Sequence, residues 1–286
     1  MADVILARQQ RRNAQSRPTW DLYASHRERV MGLLAQGTRT SPARLCVLGA
    51  GNCNDLDLPR LTDLFDEVHL TDLDVAALEF GVSQQGAAKN GRLQLHGPVD
   101  VTGVSGSLSQ WTPQSPPSRE EVVACVREAN AAPAPVLPMP FDIVASVGLL
   151  TQLIESVALA IGERHPGFAD LMLTVRNRHL RQMVEMVRPG GRLCLVTDVV
   201  SSSSFPELPN VPAARLAETL SRLIQQRNFF TGANPFVLRR YFTTDPSVCE
   251  QLKNVELVAP WLWNFGPRVY AVCAITAQRR RLDNAI

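Results

Sequence analysis

The most constraining feature of this chain is a glycine-bearing turn at the end of a short apolar run, with a carboxylate about 20 residues further on. The run Arg44-Leu45-Cys46-Val47-Leu48 leads into Gly49-Ala50-Gly51, and His69-Leu70-Thr71 leads into Asp72. Glycines at a strand-to-helix turn let the backbone approach a ligand where a Cβ would otherwise stand. An acidic side chain at the tip of the second strand can accept both hydroxyls of a ribose. The pair predicts a parallel sheet with a nucleoside-bearing ligand over the C-terminal ends of its strands. Asn54 stands where a dinucleotide fingerprint needs its third glycine.

From Arg44 onward, short β-rich apolar runs alternate with longer amphipathic stretches, the pattern of a parallel sheet covered by helices. Strands are expected over 45–48, 67–70, 92–95, 142–146, 192–197, 255–260 and 269–276. The last two form a hairpin turned at 264–267, on which Trp261 and Trp263 share a face. A helix is expected over 168–187, ended by Pro189-Gly190-Gly191, with Arg176, Arg178 and Arg181 on a solvated face.

Three segments stand outside this alternation. Residues 1–40 are polar and helical in character and are read as an N-terminal helical lid on a larger domain spanning 41–286. An insertion at 104–140 is rich in Ser, Pro and Ala around a helix over 118–130 that opens with a capping-box-like Ser118-Arg119-Glu120-Glu121. Region 201–247, a serine run followed by a helix over 213–226, is read as a second lid or substrate region.

A formal charge of +2 is too small to imply nucleic acid as a partner. No apolar run reaches the roughly 20 residues of a membrane span, and the N-terminus lacks a secretory core, so no membrane partner and a cytoplasmic location are expected. The cysteines at 46, 53, 125, 194, 249 and 273 include no CxxC pair, and neither a metal nor a disulfide framework is expected. The closing QRRRLDNAI reads as a frayed basic tail.

Four motifs in order, over roughly residues 44 to 200, resemble the class I S-adenosylmethionine-dependent methyltransferases. LCVLGAGNCN resembles the glycine motif that holds the methionine part of the cofactor, and HLTDLDVAAL the acidic motif in which Asp72 binds ribose. FDIVASVGLLTQL resembles the fourth strand and its exit, and VRPGGRLCLVTD the helix, turn and fifth strand. The resemblance implies an α/β fold, a Rossmann-like three-layer sandwich with a mostly parallel seven-stranded sheet ending in an antiparallel hairpin, and makes 41–286 the catalytic domain. It implies S-adenosyl-L-methionine as cofactor and S-adenosyl-L-homocysteine as product. The cofactor-binding residues it implies are Gly49, Ala50, Gly51, Asn54, Asp72, Leu73, Asp100, Ser146 and Val147.

The chain departs from the family pattern at Asn52-Cys53-Asn54 and after Asp100, where the insertion blurs the adenine-binding element. A nicotinamide or flavin dinucleotide is the competing ligand, disfavoured by the missing third glycine and the lack of a separate substrate domain. Asp74 either binds ribose or caps the next helix, which its position suits. Asp100 either meets adenine or closes a turn, and Asp55 and Asp57 are read as structural.

Methyl transfer from a sulfonium requires alignment of the acceptor lone pair and exclusion of water, and a base only where the acceptor must lose a proton. Tyr23 and His26, three apart on one helical face, are the catalytic candidates, or else they pack that helix on the domain. Arg27, Leu149, Asp198, Tyr241, Trp263 and Arg268 are the substrate-binding candidates; Trp261 and Trp263 either line an acceptor pocket or cover core. Gly148-Leu149-Leu150 replaces the Pro-bearing motifs of base methylation after strand four. That exit favours a small-molecule acceptor methylated at O, N or S, with a homodimer left open. Two other readings stand beside it: a non-catalytic S-adenosylmethionine-binding subunit that needs a partner protein, and a macromolecule methyltransferase.

Overall fold

The computed structural model describes residues 4–36 and 43–281. The ends of the expected lid and residues 282–286 of the expected tail lie outside them. Helix α1 (Val4–Ser16), a 3₁₀ segment (Arg17–Tyr23) and α2 (Ala24–Ala35) come before the sheet. The chain then runs β1 (Arg44–Leu48), α3 (Leu58–Leu64), β2 (Glu67–Thr71), α4 (Val75–Gln84), β3 (Leu93–His96), α5 (Ser105–Leu108), α6 (Arg119–Ala131) and β4 (Phe141–Val147). It continues through α7 (Leu149–Ile161), α8 (Phe168–Met186), β5 (Val187–Ser201), α9 (Ala213–Gln225), α10 (Pro235–Thr244), β6 (Leu252–Asn264) and β7 (Val269–Arg279).

The strands form one seven-stranded sheet in the order β3-β2-β1-β4-β5-β7-β6. Strands β1 to β5 pair in parallel, and β7 runs antiparallel to both β5 and β6. This is the mostly parallel sheet closed by a hairpin that the sequence predicts. Its central strands are apolar on both faces because helices cover both. Ile143, Ala145, Cys194 and Val196 face a core with Val30, Met31 and Leu34 of α2. Val144, Leu193 and Leu195 face the opposite core with Val175, Leu180 and Met183 of α8. Strand order reverses between β1 and β4, and at such a switch point the flanking connections diverge and leave a crevice at the C-terminal strand ends.

The helix of the insertion forms as expected. Ser118 Oγ accepts from Glu121 N at 3.2 Å and Glu121 Oε2 accepts from Ser118 N at 2.6 Å, a reciprocal box that stabilises a helix start by about 1 kcal/mol. Among the described residues, no helix is long and apolar enough to cross a membrane.

Several local expectations are corrected. Pro189-Gly190-Gly191 lies inside β5, which starts directly after α8; the irregularity shows as a register shift in the β4–β5 pairing between Phe141 and Ile143. Arg176 and Arg178 are buried, not solvated. Arg178 donates to Ala129 O and Ala132 O, both at 2.8 Å, and to Pro133 O at 2.7 Å, satisfying carbonyls at the end of α6 that no helical N–H reaches. Asp74 occupies the cap position of α4 without a side-chain cap bond, because its carboxylate is turned to Asn13. Gln278 and Arg279, read as frayed tail, belong to β7.

Candidate functional site

The glycine turn is built at the switch point. Gly49 N and Ala50 N both donate to Thr71 O at 2.9 Å, which pins the end of β1 to the end of β2. Gly49 has φ +72° and Gly51 φ +51°, backbone geometry that disfavours side chains. A Cβ on Gly49 would also stand 2.7 Å from Leu149 Cδ1 at the start of α7. Asp72 lies beneath this turn: Oδ2 accepts from Gly51 N at 2.8 Å and Oδ1 from Asp74 N at 2.9 Å. Burial raises its pKa against the opposing pull of these two N–H groups. The side chain is buried under the turn and does not line the cavity that lies above it.

The N-terminal segment is stitched over the turn. Asn13 Nδ2 of α1 donates to Asp74 Oδ2 at 2.9 Å. In the other direction, Asn52 Nδ2 donates to Asn13 O at 2.6 Å and Asn54 Nδ2 to Ser16 O at 2.8 Å. Arg12 pairs with Glu155 of α7 on the far side, and Ile5 inserts into the core near Val101 and Leu108. Arg27, stacked 3.6 Å over the Trp20 ring, donates to Asn54 O at 2.8 Å.

Beneath this cover lies a cavity of about 750 Å³ that runs from Gly49, Gly51 and Asn52, past Val147 and Gly148, to the hairpin. Its far wall is aromatic. Tyr23 lies 4.8 Å from Trp263 and 5.6 Å from Phe265, Trp263 lies 5.4 Å from Tyr270, and Phe230 lies 6.3 Å from Tyr270, between ring centres. Asp198, at the end of β5, also lines the cavity, and Thr151 Oγ1 donates to its Oδ2 at 3.4 Å. Burial pushes the Asp198 carboxyl up to about 6; the charge on Asp55 adds to this, while His26 and Thr151 oppose it.

His26 Nδ1 accepts from Trp261 Nε1 at 3.2 Å and its Nε2 faces Asp55 Oδ1 at 3.1 Å, so Nε2 carries a proton toward the carboxylate and no lone pair of the ring is free. Burial, followed by the charges of Asp55 and Asp198, drives the Tyr23 hydroxyl far above its usual range. It stays protonated. Among the groups lining the cavity, Asp198 has the freedom and the proton affinity to take up a proton near neutral pH.

Of the residues singled out from sequence, Gly49, Ala50, Gly51, Asn54, Val147, Tyr23, His26, Asp198, Trp263 and Arg268 meet around this cavity. The others stand back from it, Asp72 among them: it is buried under the turn and touches the cavity only through Gly51, whose N–H it accepts. Leu73 packs on the core, Leu149 supports Gly49 from below, and Arg27 braces the turn from outside. Ser146 Oγ lies 2.8 Å from Nε2 of the buried His179, whose pKa burial lowers to about 4. Asp100 closes a turn, its Oδ1 accepting from Thr102 N at 2.8 Å and its Oδ2 from Ser105 N at 3.0 Å. Tyr241, expected at the acceptor, is instead packed in the core beside α8, with its hydroxyl donating to Asn177 O at 3.3 Å.

Sequence reasoning missed Asn13, Gln152, Phe265 and Tyr270 as cavity residues and read Asp55 as structural only. Phe265 follows Trp263 at the two-residue spacing of one strand face, a signal that was there to use. Asn13 has no local signal, because only the docking of α1 brings it to the turn.

No family model matches the chain, and no curated protein matches it. Among solved structures, the S-adenosylmethionine-dependent methyltransferase SibL in its apo form is 17% identical over 87% of this chain and 54% of that one, at a TM-score of 0.44. The chain therefore spans about half the length of that protein. The N-methyltransferase NodS from Bradyrhizobium japonicum WM9, in complex with S-adenosyl-L-homocysteine, is 13% identical over 88% of this chain and 86% of that one, at 0.46. The YcgJ protein of Bacillus subtilis is 12% identical over 89% of this chain and all 100% of that one, at 0.43. Likeness of this order says nothing of the ligand, for which the site's own side chains are the guide.

Proposed function

We propose that the chain is a class I S-adenosylmethionine-dependent methyltransferase acting on an O, N or S atom of a small molecule. The observation that carries this reading is that the glycine turn and the aromatic recess open into one cavity. The turn also fits the cofactor by its unfilled valences. Asn52 Oδ1, Asn54 Oδ1 and Gln152 Oε1 are buried acceptors without a donor, and all three residues line the cavity. A buried acceptor left unmet costs about 1–3 kcal/mol, so two at the turn and a third on α7, all around one cavity, point to a ligand with N–H or O–H donors.

The turn and these amides would hold the methionine part, with Asp72 beneath the ribose. The cofactor would supply an already activated methyl, its carbon–sulfur bond breaking as the acceptor lone pair bonds to carbon, which leaves S-adenosylhomocysteine. The chain's own task is to orient the acceptor along that line and keep water out. The aromatic wall and the α1 cover suit both demands, and α1 with the 3₁₀ segment acts as the lid.

Titration calorimetry with S-adenosylmethionine, S-adenosylhomocysteine and NAD in parallel tests the reading. Micromolar binding of both adenosyl ligands with no binding of NAD is expected. Binding of NAD alone, or of none of the three, overturns it.

A further inference from the structure

Resting on the reading of this cavity as a methyl-transfer site, we infer that the acceptor is an amine on a small apolar body, its ammonium received by Asp198 against the wall of Tyr23, Trp263 and Tyr270. The faces of aromatic rings carry negative partial charge and attract cations, most strongly where water is scarce. Here Tyr23, Trp263, Phe265 and Tyr270 pack ring on ring, with further centre-to-centre distances of 5.3 Å between Trp263 and Phe265 and 6.4 Å between Phe265 and Tyr270. Asp198 lines the same cavity as Tyr23, Trp263, Phe265 and Tyr270, and its charge helps to raise both tyrosine hydroxyls.

The charge around the cavity has the same sense. Four carboxylates line it, those of Asp55, Glu155, Glu163 and Asp198, against two arginines. Arg12 is already paired with Glu155 and Asp55 faces His26, while Arg268, on the exposed turn of the hairpin, is engaged by the Tyr270 hydroxyl, which leaves Glu163 and Asp198 without a basic partner among the described residues. An anionic acceptor would enter a field of its own sign; an ammonium enters one that draws it in. The Asp198 carboxylate also has capacity to spare, since Thr151 at 3.4 Å is the only side chain hydrogen-bonded to it among the described residues, Thr197 donating to the backbone oxygen instead.

Before it can attack carbon, the ammonium must give up a proton. The N–H bond breaks, the proton passes to a carboxylate oxygen of Asp198, and the nitrogen keeps the electron pair while Asp198 becomes neutral. Burial, which favours the neutral carboxyl, eases that transfer. The groups that face Asp198 and set its protonation are Tyr23, His26, Asp55, Thr151 and Tyr270, with Arg268 beside Tyr270. Of the others, His26 has both nitrogens engaged, Asp55 is already paired with His26 at 3.1 Å, and burial holds the tyrosines protonated.

The test uses protein saturated with S-adenosylhomocysteine and a matched series by calorimetry: phenethylamine, phenethyl alcohol and hydrocinnamate, with the shorter and longer homologues of each. Amines are expected to bind about tenfold tighter than the alcohols of equal length, and the carboxylates weakest of all. Asp198→Asn is expected to abolish the preference while S-adenosylhomocysteine still binds, which shows that the variant is folded. Tyr270→Leu lowers amine affinity and Tyr270→Phe restores it. Alcohols or carboxylates binding as tightly as amines, no amine binding anywhere in the series, or a preference that survives Asp198→Asn overturns the inference. Failure of S-adenosylhomocysteine itself to bind instead overturns the cofactor reading beneath it.

Discussion

His26 Nε2 lies 3.1 Å from Asp55 Oδ1, and this contact joins α2 to the loop that follows the glycine turn. With Nδ1 bonded to Trp261 and the ring stacked 4.6 Å from Trp263, the imidazole holds the lid segment to the terminal hairpin. The side chain is 2% exposed, so its removal leaves both a void and an unmet indole N–H. His26→Ala is expected to cost about 2–4 kcal/mol in urea unfolding, from cavity and hydrogen-bond losses together. The pH dependence of turnover should keep its shape. A variant of unchanged stability that loses a titrating step in the rate profile would show that His26 is a base after all.

Asp198 ties stability to pH in a definite direction. Its folded pKa, about 6, lies above the ordinary value of 3.8. Below about pH 4 both states bind the proton and the group costs nothing. Between about pH 4 and 6 the unfolded chain ionises first, so stability falls with rising pH, by up to about 3 kcal/mol. Asp198→Asn is therefore expected to be at least as stable as the parent at pH 7 to 8, on the same linkage argument, and to show a flatter profile of melting temperature between pH 4 and 7. Destabilisation of the variant at neutral pH would show that the charge is better compensated than the geometry indicates.

Asn13 carries the contact between the lid and the acidic strand tip. Asn13→Ala removes its bond to Asp74 and is expected to weaken the α1 closure by about 1–2 kcal/mol. Limited proteolysis should then cut the arginine-rich α1 faster in the variant than in the parent, with the core domain left whole. Identical cleavage rates in the two proteins would mean that Arg12 and Ile5 hold the helix without it.

Gly49→Ala tests the turn itself. The added methyl would meet Leu149 at 2.7 Å, and φ of +72° is costly for alanine. Loss of about 1–3 kcal/mol in stability, with adenosyl-ligand affinity reduced in parallel, is expected. The double variant Gly49→Ala, Leu149→Ala relieves the clash and should recover part of the stability. No recovery would place the strain in the backbone alone.

The central strands could be read from sequence because they are buried on both faces: Cys46, Val47, Val144 and Leu195 are apolar whatever their neighbours. The hairpin was legible from its turn and from the paired tryptophans. What failed depended on contacts distant in sequence. Pro189-Gly190-Gly191 carries the residues of a turn, and it lies between Val187 and Arg192, which both pair with β4, as an irregularity inside β5. Arg178 follows a polar periodicity, and only the docking of α6 turns it inward. Tyr241 was misread despite a usable signal, since Leu238, Tyr241 and Phe242 share one helical face and all are buried. At the candidate site, the glycine turn and Asp72 were visible as local chemistry. The aromatic wall was only half visible, because its members come from the 3₁₀ segment and the terminal hairpin, opposite ends of the chain.

The most direct test of the account is a crystal structure of the protein with S-adenosylhomocysteine bound. The account predicts the amino-acid end of the ligand against Gly49, Gly51 and Asn52, its ribose at Asp72 with α1 displaced from the strand tip to admit it, and its sulfur turned toward Asp198 and the Trp263 wall. A ligand bound elsewhere, or with its sulfur facing away from the aromatic recess, would contradict the assignment of this cavity to methyl transfer.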